Sequence, residues 1–178
     1  METLWNEITF GFKNWNDAGI VLFRLLAATL FGALIGVERE TAGKSAGVRT
    51  HMLVTLGTAV FVIACQRADF STDGLSRVIQ GIVTGIGFIG AGSIIKLSEV
   101  REVKGLTTSA GVWMAAAIGV TVGLGAIGLA VIATLMSLGI LALAVVVDNW
   151  IKRGEITTKK AEDLDASGIR RSTSKDED

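Results

Sequence analysis

Residues 105–147 contain no charged side chain in 43 consecutive positions, and no other feature constrains the fold as strongly. A single helix of that length would extend about 64 Å, roughly twice the hydrocarbon thickness of a bilayer. The run therefore has to turn back on itself. Its only punctuation is Gly123-Leu124-Gly125, where two glycines flank one residue and supply the positive-φ conformations that a tight turn needs. Helices are expected over about 107–123 and 126–147. Upstream, residues 78–95 and 50–66 are uncharged runs of 18 and 17 residues, the second including His51, and both are near the minimum spanning length. The first apolar stretch, 18–37, is interrupted by Arg24, about 9 Å from its start and close enough for the head group to reach the interface. Five spans result. Composition agrees, with 50% hydrophobic residues and a mean hydropathy of +0.54.

Helices are the permitted reading of such runs because each closes its own backbone hydrogen bonds in lipid. A β-barrel would need segments of about ten residues alternating apolar and polar. These runs are continuously apolar, so the expected class is an all-α, polytopic transmembrane helical bundle. The first span follows a tail carrying Glu2, Glu7, Lys13 and Asp17, unlike the basic start of a cleaved signal peptide, and is expected to be retained. Lys and Arg set the orientation. The segment after span five, the 1–2 connection and the 3–4 connection together hold 13 basic residues, against Lys13, Arg67 and Arg77 on the other side. The N-terminus is accordingly expected outside and the C-terminus in the cytoplasm, with Trp5, Trp15 and Trp150 at the interfaces. The organisation expected is an extracytoplasmic tail over 1–17, a five-span domain over 18–150 and a polar, disordered cytoplasmic tail over 151–178. A short amphipathic helix near 155–166 is one option within that tail.

The chain has 22 glycines and no proline. Gly32 and Gly36, Gly81 and Gly85, Gly92, and Gly119 and Gly123 recur at helical spacing, which removes bulk from one face and lets a neighbouring backbone approach. Close helix packing, within or between subunits, is the reading preferred over a backbone-lined pore. Residues 85–90 satisfy G-x-G-x-x-G, a fingerprint that needs a strand before it, a helix after it and an acidic residue about 20 positions on, but here it sits mid-span in a run with no charge until Lys96, so no nucleotide site is expected. Seventeen basic and seventeen acidic residues cancel, which disfavours nucleic acid as a partner. One cysteine, Cys65, and one histidine cannot make an internal disulfide or a Cys/His zinc site.

The densest polar group is Glu38-Arg39-Glu40 at the end of span one, followed across a short loop by Arg49-Thr50-His51. Two readings stand. Glu38 and Glu40 could offer oxygens to a hard cation such as Mg²⁺, tuned by Arg49 and His51. Alternatively the charges clamp the 1–2 hairpin, which suits two carboxylates among so many cationic groups. Arg24, the only strong charge well inside a span, is either functional or reaches toward the outer surface, with Asp17, Asp69 or Asp73 as partners. Thr107-Thr108-Ser109 could cap span four, and Trp113 is expected to face protein and find an acceptor for its N–H. Asp148-Asn149 could reach Arg39 or Arg49. No nucleophile, base and orienting group lie together, so catalysis, and any catalytic residue, is not expected.

Four segments carry a resemblance: residues 24–40 from Arg24 through Gly32, Gly36 and Glu38-Arg39-Glu40; 47–54 with Arg49-Thr50-His51; 85–92 with Gly85, Phe88 and Gly92; and 103–113 with Thr107-Thr108 and Trp113. In this order they cover most of residues 20–125, and the sequence resembles the MgtC/SapB family of bacterial membrane proteins. The resemblance implies a bacterial inner-membrane protein of about five spans, associated with adaptation to low magnesium and, in pathogens, with growth inside host cells. It leaves open whether such a protein transports magnesium or regulates another membrane machine. Arg24, Glu38, Arg39, Glu40, Arg49, Thr50, His51, Thr107, Thr108 and Trp113 occupy its motif positions. Members such as the namesake carry a further soluble C-terminal domain, whereas 28 residues follow residue 150 here. The expectation is a non-enzymatic, homo-oligomeric membrane protein that acts through helix contacts on ion homeostasis or a partner complex, without a cofactor. The alternative is a Mg²⁺ carrier using Glu38 and Glu40.

Overall fold

The computed structural model describes residues 14–97 and 102–143. Among these are α1 (Trp15–Thr41), α2 (Val48–Arg67), α3 (Thr72–Gly92), β1 (Ile95–Leu97), β2 (Glu102–Lys104), α4 (Leu106–Gly123) and α5 (Ile127–Leu143). The first four helices are long and apolar enough to cross a membrane, and α5 is a shorter apolar helix within the described residues. The fold is the all-α transmembrane class expected, with one addition: the 3–4 connection forms an antiparallel two-stranded hairpin pairing Ile95 with Lys104 and Leu97 with Glu102.

Helix starts differ from the uncharged runs for a definable reason. Charge interrupts hydropathy, but it does not interrupt the backbone ladder when the side chain points outward. Asp73 and Arg77 are exposed on α3, so the helix begins at Thr72 instead of 78, capped by Ser71 Oγ, which accepts from the Gly74 N–H at 3.2 Å. Similarly, Asn14 caps α1 by accepting from the Asp17 N–H at 2.9 Å, so residues 15–17 belong to the helix rather than to a tail. Span four is not capped by Thr107-Thr108-Ser109. Its N-cap is Gly105, at φ 98° and with no side-chain cap, tucked against the Ser93 carbonyl where any β-carbon would collide. The turn between α4 and α5 uses Gly125 at φ 85°, whose N–H donates to Val122 O while the Ala126 N–H donates to Thr121 O. Trp5, Trp150, Asp148-Asn149, the 155–166 helix and the 151–178 tail lie outside the described residues.

The chain divides into two compact units, Met1–Leu138 and Gly139–Asp178. In the first, α2 is the central element, packed most extensively on α1 and on α4, while α3 leans chiefly on α4. The buried stripe of α1 is Val21, Ala28, the pair Phe31 and Gly32, the pair Ile35 and Gly36, and Arg39, with successive positions or pairs three, four or seven residues apart. Glycines set how closely these helices meet. A methyl built on Gly32 would lie 2.6 Å from the His51 carbonyl oxygen, and one on Gly36 would lie 2.5 Å from Val48 Cα. On the opposite flank of α2, a methyl on Gly119 would lie 2.9 Å from Thr55 Cα, and one on Gly123 would lie 2.7 Å from Val62 Cβ. Backbone therefore touches backbone on both sides of α2. Gly81, Gly85 and Gly92 are placed differently: none has a neighbour within 4 Å of a built methyl. Gly81 and Gly85 line an open apolar cleft of about 650 Å³ between α2 and α3 with Leu53, Val54 and Phe61.

Candidate functional site

At the end of the bundle where α1 passes into α2, the short loop brings polar groups against glycine-thinned helices. Arg39 falls on the buried stripe of α1 and is only 2% exposed. A guanidinium there requires a partner, because unpaired burial of a charge is prohibitive. Its immediate neighbour supplies one: Arg39 Nε donates to Glu38 Oε2 and a terminal nitrogen donates to Glu38 Oε1 at 2.6 Å, a two-point pairing. Glu40 turns the other way. Its Oε2 accepts from the Val48 N–H at 2.9 Å, satisfying an orphan donor in the first turn of α2 and tying the end of α1 to the start of α2. A built methyl on Gly47 would lie 2.6 Å from that same oxygen, so the small residue lets the carboxylate in.

His51 sits one turn into α2 and is fully buried. Its Nδ1 lies 2.9 Å from the Gly47 carbonyl, which can only accept, so Nδ1 carries the proton and donates. In the neutral ring Nε2 is then an acceptor, and it makes no hydrogen bond among the described residues. It faces α4, where a methyl on Gly111 would be 3.5 Å away. Thr55 and Thr58 continue the same face of α2 and return their hydroxyls to their own helix, Thr55 to His51 O at 3.0 Å and Thr58 to Val54 O at 2.9 Å. Thr108 is buried at the same end of α4.

The structure thus brings Glu38 to Arg39 and Glu40 to the α2 backbone, but it does not join the two charge groups as ion pairs. Arg49 is exposed and Thr50 half-buried, and neither makes a side-chain bond among the described residues. Thr107 is exposed. Trp113 is 48% exposed and its indole N–H has no acceptor among the described residues, contrary to expectation. Position 113 lies off the buried stripe of α4, which runs through Thr108, Val112, Ala115, Ala116 and Gly119. Among the described residues no three His, Cys, Asp or Glu side chains lie together as a metal-ligand group.

The opposite end holds Arg24. Its expected carboxylate partners are not the ones it uses. The guanidinium donates to Gln66 Oε1 at 3.2 Å and to the Gly123 carbonyl at 3.1 Å, joining α1 to the ends of α2 and α4. That carbonyl is one of the acceptors a helix terminus leaves unpaired. Asp17 instead pairs two-point with Arg67, one contact at 2.7 Å. Sequence reasoning missed Gln66 and the Gly123 carbonyl. The second carries no side-chain signal, whereas His51, Thr55, Thr58 and Val62 at helical spacing do mark the inward face of α2.

Protein SrpB of Synechococcus elongatus is 43% identical over 114 residues, covering 58% of this chain and 63% of that protein. Protein MgtC of Salmonella typhimurium is 47% identical over 104 residues, covering 58% and 43%. The Escherichia coli K12 protein named "Putative magnesium transporter YhiD" is 44% identical over 111 residues, covering 58% and 51%. The chain spans about half the length of the curated relatives it matches. No solved structure matches it. The MgtC family model covers residues 25–150, which includes α1 from Leu25 onward and the whole α2–α5 segment, and the chain is a membrane protein of the MgtC family.

Proposed function

We propose that this chain is a non-enzymatic protein of the bacterial inner membrane, linked to magnesium homeostasis, that works through helix contacts on membrane ion balance or on a partner complex. One observation carries the reading. The two carboxylates best placed to receive a cation are already engaged, Glu38 by Arg39 and Glu40 by the Val48 N–H. Magnesium demands near-octahedral oxygen ligands and sheds water reluctantly, so a carboxylate held by a guanidinium is a poor inner-mouth ligand. The basic loops that flank α1–α2 and α3–α4 favour a cytoplasmic placement for that end, with the N-terminus outside. Family membership supports the connection to magnesium.

A second reading, Mg²⁺ transport through a site at Glu38 and Glu40, is favoured by the name of the Escherichia coli relative. Purified protein in liposomes loaded with a Mg²⁺-sensitive dye separates the two. The helix-contact reading expects magnesium entry no faster than in empty liposomes. Entry that disappears in Glu38→Gln or Glu40→Gln, with helicity intact, would overturn it in favour of transport.

A further inference from the structure

Resting on the helix-contact reading above, we propose that the outward face of α3 is a self-association seam that joins two copies of this chain, side by side and parallel, across a two-fold axis. The apolar window of α3 is 11% buried, against 33–44% for α1, α2 and α4. One line along its outward face, flanked by the exposed Val83 and Phe88, nevertheless does not suit lipid. Asp73, Arg77, Gln80, Thr84, Gly87 and Ala91 follow one another at intervals of four, three, four, three and four residues, and all are exposed. That alternation traces the contact line of a left-handed helix pair. No large apolar side chain stands on it. The outward face of α1 shows what lipid exposure selects, with Leu22, Phe23, Leu26, Leu30 and Leu34 between 44% and 61% exposed.

Apart from Thr84, the polar groups of the seam also lack partners among the described residues. Among the described residues Asp73 and Arg77 form no ion pair, the Gln80 amide makes no hydrogen bond, and only Thr84 is satisfied, by donating to Gln80 O at 2.9 Å. A primary amide facing hydrocarbon is costly, and association is the route by which such groups are satisfied in membranes.

Complementarity identifies the occupant as a second copy. In a two-fold interface residue i of one copy meets residue j of the other, and the reverse holds simultaneously. Asp73 and Arg77 are opposite charges one helical turn apart, about 6 Å along the axis. In a parallel pair each position stands level with its own copy, and the long Arg77 side chain spans the one turn of about 6 Å to reach Asp73 of the other copy, giving two equivalent ion pairs near the membrane surface. One turn deeper, Gln80 carries donor and acceptor on one amide and is its own complement. Towards the other end Gly87 and Ala91 remove bulk, so the backbones can close. Both copies insert in the same orientation, which makes the two-fold axis run along the membrane normal.

Single cysteines placed at each position from 72 to 92, in a Cys65→Ala background and in native membranes, test the seam by oxidative cross-linking. Dimer yield should peak at Gln80, Thr84 and Gly87 and fall at Ile79, Ile82 and Ile86, which face the bundle. Gln80→Leu should weaken dimerisation by roughly three- to twentyfold. Asp73→Arg and Arg77→Asp should each lower the dimer fraction, and the double exchange should restore it, with helicity unchanged in all three. Absent cross-links, cross-links without the three-four period, or a folded double exchange that stays monomeric would overturn the proposal. Seam cysteines that link to a different protein instead would also overturn it, yet leave the helix-contact reading standing. Periodic self-linking together with Mg²⁺ entry in liposomes would do the reverse.

Discussion

Gly119→Ala probes the closest contact in the bundle. The added methyl would meet the Thr58 hydroxyl and the Thr55 carbonyl and lie 2.9 Å from Thr55 Cα. Ordinary carbon–carbon contact is about 3.5 Å and the Thr55 carbonyl oxygen lies nearer still, so α2 and α4 would have to part by about 1 Å at that point. The hydroxyl can rotate, but the Thr55 backbone cannot. On its other side α2 is held by Gly32, where a methyl would already sit 2.6 Å from the His51 carbonyl oxygen, so the strain cannot be relieved by sliding toward α1. Overpacking costs about 1–3 kcal/mol, and a clash with backbone held on both sides belongs in the upper part of that range, about 2–3 kcal/mol, while alanine returns about 1 kcal/mol through its helix propensity. The net expectation is a loss of about 1–2 kcal/mol. Gly57→Ala is the matched control in α2, since a methyl there meets nothing within 4 Å, and it should be neutral or stabilising by up to about 1 kcal/mol. Unfolding in mixed micelles followed by circular dichroism measures both. If Gly119→Ala is as stable as the parent, or Gly57→Ala loses as much, the argument that glycine sets the helix separation fails.

Arg24→Leu strips the donor from Gln66 and from the Gly123 carbonyl, and should cost about 1–3 kcal/mol in the same unfolding assay, whereas Asp17→Asn, at a partly exposed pair, should cost under about 1 kcal/mol and lose its effect in high salt. Glu40→Ala removes the acceptor for the Val48 N–H and should destabilise by about 0.5–2 kcal/mol, as loss of a helix cap does; Glu40→Gln, which keeps an acceptor oxygen, should recover most of it.

Much of this architecture is legible in the sequence because lipid enforces simple rules. The charge-free run of 105–147 forces a turn, and the chain makes it at Gly125. What hydropathy misreads are helix starts at Thr72 and Trp15, where Asp73, Arg77 and Asp17 stand on a helix without entering its core. The 95–104 hairpin is equally hidden: three-residue strands give too short a pattern, and only Gly105 marks where the chain re-enters a helix. At the candidate site, residue identity shows which groups are polar, but not whom they meet. Arg39 and Glu38 being adjacent suggests nothing about burial until the spacing Ile35, Gly36, Arg39 is seen to lie on the α1 stripe. Arg24 illustrates the limit, since one of its partners is a backbone carbonyl 99 residues away. Glycine spacing alone likewise cannot separate Gly32 and Gly36, which press on α2, from Gly81, Gly85 and Gly92, which face open space.

The central claim is a bundle that crosses the membrane with the α1–α2 loop and the α3–α4 hairpin at one face and the α2–α3 turn at the other. Single cysteines at Lys44, Lys104 and Asp69, in the Cys65→Ala background, can be labelled with a membrane-impermeant maleimide in intact cells and after lysis. The account expects Asp69→Cys to label in intact cells, and Lys44→Cys and Lys104→Cys only after lysis. Lys44→Cys and Lys104→Cys reporting opposite faces would contradict it.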